Sequence, residues 1–228
     1  MDITKITKPV RKLLPLKTCG AVIVAAGNAS RMGGIDKVMA ELRGEPMIVR
    51  TVRTFQDCDA ISELVIVTRP DLILPISQLC REMPKVKAVV AGGKSRQESV
   101  NLGLNALSDK VKLAAIQDGA RPLITWQVID RVVRAAHTHG AAIPCVPVKD
   151  TIKVGSGGVV KETPDRATLF AAQTPQVFDF DLLRAALKKA ELEDYAVTDD
   201  ASAVEYMGMN VKILYVTRYI KRLNFFYI

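Results

Sequence analysis

Between residues 25 and 37 one loop gathers Ala25-Ala26-Gly27, Arg31, the pair Gly33-Gly34 and Lys37. Small side chains let backbone N–H groups approach a polyanion, and a run of such groups forms an anion-binding concavity. Arg31 and Lys37 add two cations beside it, the arrangement that phosphoryl and nucleotidyl transfer require. The same residues also fit a tight strand-to-helix turn with two solvated charges, so the rest of the chain must decide. Two commoner glycine loops are excluded. A P-loop fails because Ile35 follows Gly34 and Val38 follows Lys37, and the dinucleotide fingerprint fails because Ala29 stands where glycine is needed.

Further residues with chemistry to offer fall at other loops. Gly92-Gly93 makes a sharp turn before a helix whose first turns hold Ser99, its hydroxyl expected to be free to donate. Gln117-Asp118-Gly119-Ala120-Arg121-Pro122 follows an apolar run. Asp118 is placed to accept from ribose or polyol hydroxyls or to sit near a metal ion, Gly119 lets a ligand approach, and Arg121 can fork onto a phosphate. An Asp–Arg pair that merely staples the turn is the alternative. His137 and His139 fall where a helix should end, which suits compensation of its dipole rather than catalysis.

The elements that must carry these loops read as strand and helix in alternation. Apolar runs at 21–25, 64–68, 88–90, 113–117, 141–148 and 211–215 predict buried strands. Helical spacing covers 46–55, 71–81, 95–107 and 125–137, with Pro46 in a first turn and Thr125 as an N-cap. Helices are also expected at 178–190 and 199–207, the latter capped by Thr198 with Asp199 and Asp200 in its first turn. This order predicts an α/β fold, a Rossmann-like, mostly parallel sheet with helices on both faces, whose ligand lies beyond the carboxyl ends of the strands. Around residues 149–166, two short strand-like runs flank Gly155-Ser156-Gly157-Gly158 and predict a protruding β-hairpin arm. A lone hairpin is marginal in water, so a second copy is expected to cover it and make a homodimer.

Composition narrows the class further. With 49% hydrophobic and 25% charged residues in 228, the chain reads as an ordinary globular protein. No apolar run approaches a membrane span, and the N-terminus lacks the apolar segment of a signal peptide, so a cytoplasmic location is expected. Cys19, Cys58, Cys80 and Cys145 are isolated, which predicts free thiols in a reducing compartment and no zinc site. The net charge of +8 raises nucleic-acid binding, yet its basic residues scatter into the 1–18 extension and the 216–228 tail. An acidic small substrate explains the charge more simply. The fold itself is expected to span 19–215.

AAGNASRMGG…K looks like the loop of sugar-nucleotide and polyol-phosphate nucleotidyltransferases. Taken with GGKSRQESV, QDGARP, PVKDTIK, TPDRATLFAAQTPQVF and TDDASAVEYMG, in that order, the chain resembles the 2-C-methyl-D-erythritol 4-phosphate cytidylyltransferases of isoprenoid biosynthesis. The resemblance implies transfer of a cytidylyl group from CTP to a polyol phosphate with Mg²⁺ held mainly by the CTP phosphates, and no dedicated metal residues. It implies that Arg31 and Lys37 stabilise charge on the reacting phosphates, and that Ala25, Ala26 and Gly27 line the nucleotide. Gly93 and Ser99 match cytosine-recognising positions, Asp118 and Gly119 those around the ribose and substrate. Arg121, Thr151, Arg166 and Thr198 match substrate-side positions, Arg166 reaching a partner subunit's site from the arm. The chain departs from the family in a loop between Arg31 and Lys37 one residue shorter than usual and in the residues after Tyr215, where Lys221 is the nearest candidate for the family's phosphate-binding lysine. Two alternatives follow: a ribitol-5-phosphate cytidylyltransferase, against which Arg96 and TPDRATLFAAQTPQ count, and a nucleotide-binding protein whose altered tail impairs turnover.

Overall fold

The computed structural model describes residues 16–27 and 37–216. Arg31, Gly33, Gly34, most of the basic extension and the tail beyond Val216, with Lys221, lie outside them. In chain order the elements are β1 (Cys19–Ala25), β2 (Glu41–Leu42), β3 (Glu45–Pro46), α1 (Met47–Gln56), β4 (Glu63–Thr68), α2 (Ile73–Leu79) and β5 (Val86–Ala91). Then come α3 (Arg96–Asn105), β6 (Leu113–Asp118), α4 (Trp126–His139), β7 (Ala141–Pro147), β8 (Val154–Ser156) and β9 (Val159–Glu162). The chain continues through β10 (Phe170–Ala172), β11 (Gln176–Asp179), α5 (Phe180–Leu192), α6 (Asp200–Tyr206) and β12 (Lys212–Tyr215).

β1 lies centrally between β4 and β6, parallel to both, and β5 extends the sheet beyond β4. On the other side β11 runs antiparallel between β6 and β7, and β12 pairs parallel with β7. Ala142 pairs with both β11 and β12, and Cys145 with both β10 and β12. β10 and β11 therefore share one edge of β7, as two halves of a single strand broken at Gln173-Thr174-Pro175, where the Thr174–Pro175 peptide is cis. The chain leaves β1 toward β4 and β5 and later returns to β6 on the opposite side. The crevice between the carboxyl ends of β1 and β6 is thus the switch point of a doubly wound sheet, where such folds bind ligands.

Alternation of side chains sorts the core into two layers. Ala21, Ile23 and Ala25 pack with Ile48, Val52 and Phe55 of α1, Ile76 of α2 and Ile129, Val132, Val133 and Ala136 of α4. Val22, Val65 and Val67 face Val100 and Leu104 of α3, Leu183 and Leu187 of α5 and Val204 of α6. In α4 the buried residues recur at i, i+3, i+4 and i+7, the stripe an amphipathic helix needs. α3 approaches the sheet at Gly103, where a Cβ would stand 2.3 Å from Val22 Cγ1 and 2.8 Å from Val67 Cγ2.

Several local expectations shift. The helix expected over 71–81 divides into a 3-10 turn (Pro70–Leu72) followed by α2, because Pro75 has no N–H to return to the carbonyl of Asp71. Pro46 is the N-cap of α1 rather than a first-turn residue. Thr125 does hold the N-cap position of α4 but makes no side-chain capping bond. Residues 16–18, expected in the extension, already pack on the fold: Lys17 Nζ pairs with Asp179 Oδ2 at 2.8 Å. The arm is present. β8 and β9 pair antiparallel around Gly157 and Gly158, whose φ values of +59° and +77° suit a tight two-residue hairpin turn. Every residue of both strands is exposed, including Val154, Val159 and Val160.

Candidate active site

The carboxyl end of β1 delivers Ala25, Ala26 and Gly27 to the switch point, and two glycines let neighbouring loops close against it. Gly119 donates its N–H to Val24 O at 2.8 Å, and a Cβ there would come within 3.1 Å of Ala25 Cβ and 2.9 Å of Ile48 Cδ1. Gly92, after β5, would place a Cβ 2.3 Å from Ala26 Cβ and 2.9 Å from Ser99 Oγ. Ala25, Ala26, Gly119 and Ser99 are thereby gathered around one crevice. Lys37, at the start of the segment that leads into β2, is half-buried.

The loop before α3 is held from within. Ser95 caps the helix by accepting from Glu98 N at 3.0 Å, while Glu98 Oε2 accepts from Lys94 N at 2.6 Å. Ser99, buried, donates its hydroxyl to Ser95 O at 2.8 Å and accepts from Gly93 N at 3.1 Å. Its hydroxyl is therefore not free to donate, which corrects the sequence-based expectation: a residue in the first helical turns satisfies itself on the carbonyl four positions back. One acceptor lone pair remains for a ligand's N–H.

Asp118, at the end of β6, accepts from Arg121 Nε on Oδ2 at 2.9 Å, so the turn-stapling pair does form. Arg121 reaches further and donates from Nη1 to Gln173 Oε1, while Thr174 Oγ1 accepts from Asp118 N at 3.3 Å. The break between β10 and β11 is what brings Gln173 and Thr174 to this corner. A cavity of about 250 Å³ opens here, lined by Arg96, Asp118, Arg121, Gln173, Thr198 and Asp199, among others.

The far wall is the start of α6. Its N-cap is Asp199, not Thr198: Asp199 Oδ1 accepts from Ser202 N at 2.9 Å, and the Ser202 hydroxyl accepts in return from Asp199 N and Thr198 N. A one-residue shift follows because an aspartate carboxylate at the cap, complemented by the helix dipole, outcompetes a threonine hydroxyl. Buried Gln176 pins this turn, donating to Asp199 Oδ2 at 2.7 Å and accepting from Ala201 N at 3.0 Å. Buried Asp200 accepts from Arg96 Nη2 at 2.8 Å. Burial opposes the charge of Arg96, but the nearby carboxylates, Asp200 first and then Asp118 and Asp199, together more than offset this and its proton is held more tightly than usual. Burial pushes the Asp200 carboxyl up, against the pull of Arg96.

Of the substrate-side candidates, Arg121 and Thr198 line the cavity of this chain, whereas Thr151 and Arg166 stand on the exposed arm. Arg166 Nη1 donates to Lys149 O at 3.2 Å and sits in a 3-10 turn capped by Asp165. Arg96, Gln173, Thr174 and Gln176 were not among the candidates. Arg96 had a signal, a cation in the first turn of a helix that opens on Gly-Gly; the other three lie in the quoted TPDRATLFAAQTPQVF segment, but an interrupted strand shows no regular alternation that would place their side chains. Among the described residues no group of three or more His, Cys, Asp or Glu could hold a metal ion; Asp118 binds Arg121 through Oδ2, and its Oδ1 lies 3.7 Å from Arg96 Nη2.

A family model described as 2-C-methyl-D-erythritol 4-phosphate cytidylyltransferase, IspD, matches residues 19–218. A relative of that name from Symbiobacterium thermophilum is 45% identical over 194 residues, covering 84% of this chain and 81% of its own. Another from Geobacillus kaustophilus is 43% identical over 85% of this chain and 86% of its own. The crystal structure of 4-diphosphocytidyl-2C-methyl-D-erythritol synthase from Anaerococcus prevotii superposes with a TM-score of 0.83 at 27% identity, covering 91% of this chain and 90% of that one. The doubly wound sheet, the glycine-lined switch point and the matched span agree: the chain belongs to the 2-C-methyl-D-erythritol 4-phosphate cytidylyltransferase family.

Proposed function

We propose that the chain joins CTP and 2-C-methyl-D-erythritol 4-phosphate, forming 4-diphosphocytidyl-2-C-methyl-D-erythritol and pyrophosphate. A phosphate oxygen of the polyol attacks the α-phosphorus of CTP, a new P–O bond forms, and the bond to the β-phosphate breaks as pyrophosphate leaves. The attacking phosphate is already an anion, so no strong general base is needed; the obstacle is bringing anions together. Arg31 and Lys37 offset that repulsion and stabilise charge on the departing group. Mg²⁺ on the triphosphate supplies further neutralisation.

The crevice between β1 and β6 takes the nucleotide. Ala25, Ala26 and Gly27 line it, Gly93 and Ser99 face the base, and the spare lone pair of Ser99 accepts from cytosine's amino group. Asp118 and Gly119 border the ribose, and the adjoining cavity with Arg121 and Thr198 takes the polyol phosphate. The observation that carries this reading is the position of that cavity, beside the glycine-lined crevice, walled by two guanidinium groups and two carboxylates. Thr151 and Arg166 extend on the arm into the site of a second copy, and the exposed valines of β8 and β9 are the surface a partner would cover. Four free, buried cysteines suit a reducing compartment such as the cytoplasm.

The test is CTP-dependent pyrophosphate release from the chain with its present C-terminus, with methylerythritol phosphate and ribitol 5-phosphate in competition. Preference for the first is expected; preference for the second, or nucleotide binding without product, would overturn the reading.

A further inference from the structure

Arg96 enters the cavity from the first turn of α3 with most of its donors unspent. Its Nη2 binds Asp200 Oδ2 at 2.8 Å and lies 3.7 Å from Asp118 Oδ1. Its Nε and Nη1 make no hydrogen bond to any described residue. Asp118 Oδ1 likewise receives no hydrogen bond from the described residues, its sister Oδ2 being taken by Arg121. A guanidinium edge and a carboxylate oxygen thus stand side by side at a spacing too long for a hydrogen bond between them.

A hydroxyl satisfies both groups at once, accepting from the guanidinium and donating to the carboxylate. A phosphate does not: its charge would sit beside that of Asp118, a repulsion that a neutral hydroxyl avoids. Asp200 gives the guanidinium its fixed place. It is 1% exposed, and it ties α3 to the start of α6, which also carries Thr198.

Building on the function proposed above, we infer that Arg96 is a binding residue for the acceptor. With Asp118 it grips one hydroxyl of the polyol phosphate, and Asp200 acts as the buried anchor that positions it. This pair reads the hydroxyl pattern of the acceptor, whereas Arg166, on the arm and away from Asp118, answers to its phosphate.

The test uses full-length protein, CTP, methylerythritol phosphate and its mono-deoxy analogues, one for each hydroxyl. In the wild type, one analogue is expected to lose at least tenfold in kcat/KM against the parent. Arg96→Gln is expected to raise the KM for the parent about tenfold, to leave the KM for CTP within twofold, and to erase the discrimination against that analogue alone. Arg96→Lys and Asp200→Asn, which alter the wall less, should lose part of the same discrimination; they carry the test if Arg96→Gln does not fold. A rise in the KM for CTP would put Arg96 on the nucleotide instead. An equal loss against every analogue, or a lower melting temperature with unchanged selectivity, would also overturn the assignment. Wild-type protein that releases no pyrophosphate with the parent acceptor would refute the function itself, a result distinct from any of these.

Discussion

Lys37 leaves the glycine-rich loop only half-buried, next to Val38, whose carbonyl accepts from Ile48 N at 2.9 Å. A cation in such a place supports little core, so Lys37→Ala is expected to lower kcat by about 100-fold or more, the usual loss when one donor to developing charge is removed. The melting temperature should stay within about 2 °C, well under the shift of a core substitution. Steady-state kinetics and a thermal melt on the same preparation check this, and equal losses in both would refute it. Arg166→Ala is expected to raise the KM for methylerythritol phosphate while leaving CTP affinity intact, measured by calorimetry with CTP alone. The placement of Asp118, Arg121 and Ser99 around one crevice was legible because strand ends and Gly-Gly turns advertise themselves in sequence. What Ser99 does with its proton was not legible, since that depends on a carbonyl one helical turn away. Nor was the anchoring of Arg96, whose partner Asp200 lies 104 positions further along the chain.

The central parallel strands, buried on both faces, are continuous apolar runs and were readable as such. The broken strand was harder. β10 and β11 carry only three and four residues and are separated by Gln173-Thr174-Pro175, so neither offers enough length to show a period. The antiparallel placement of β11 between β6 and β7, with β10 paired to β7 alone, is a tertiary outcome that local sequence does not encode. The closeness of α3 to the sheet yields a sharp expectation. Gly103→Ala would gain about 1 kcal/mol of helix propensity. It would also drive a methyl into the fully buried Val22 and Val67, at an overpacking cost of about 1–3 kcal/mol. With contacts this short and neighbours locked in the sheet, the cost should prevail, for a net loss of up to about 2 kcal/mol. Urea unfolding would show it, and a more stable variant would mean that α3 can lift from the sheet.

Across the whole molecule, the four cysteines make stability depend on alkali. Burial raises the thiols of Cys80 and Cys145 from the usual 9.0 to about 11, and raises that of Cys19 further. A group whose proton is held more tightly in the fold adds stability that is complete below the unfolded value. The contribution is then lost as the pH climbs through the folded one. The window here runs from about 9 to about 11. Cys80→Ala should therefore flatten the fall in unfolding free energy between pH 8 and 10.5 by on the order of 1 kcal/mol. Urea titrations across that range measure it, and parallel curves for the two proteins would refute it. The arm has a different consequence. Val154, Val159 and Val160 are exposed among the described residues, and if a second copy covers them as proposed, an acceptor grip completed by a neighbour's Arg166 would exist only while two subunits stay together. Specific activity should then fall on dilution and return on reconcentration, making catalysis itself a gauge of subunit association.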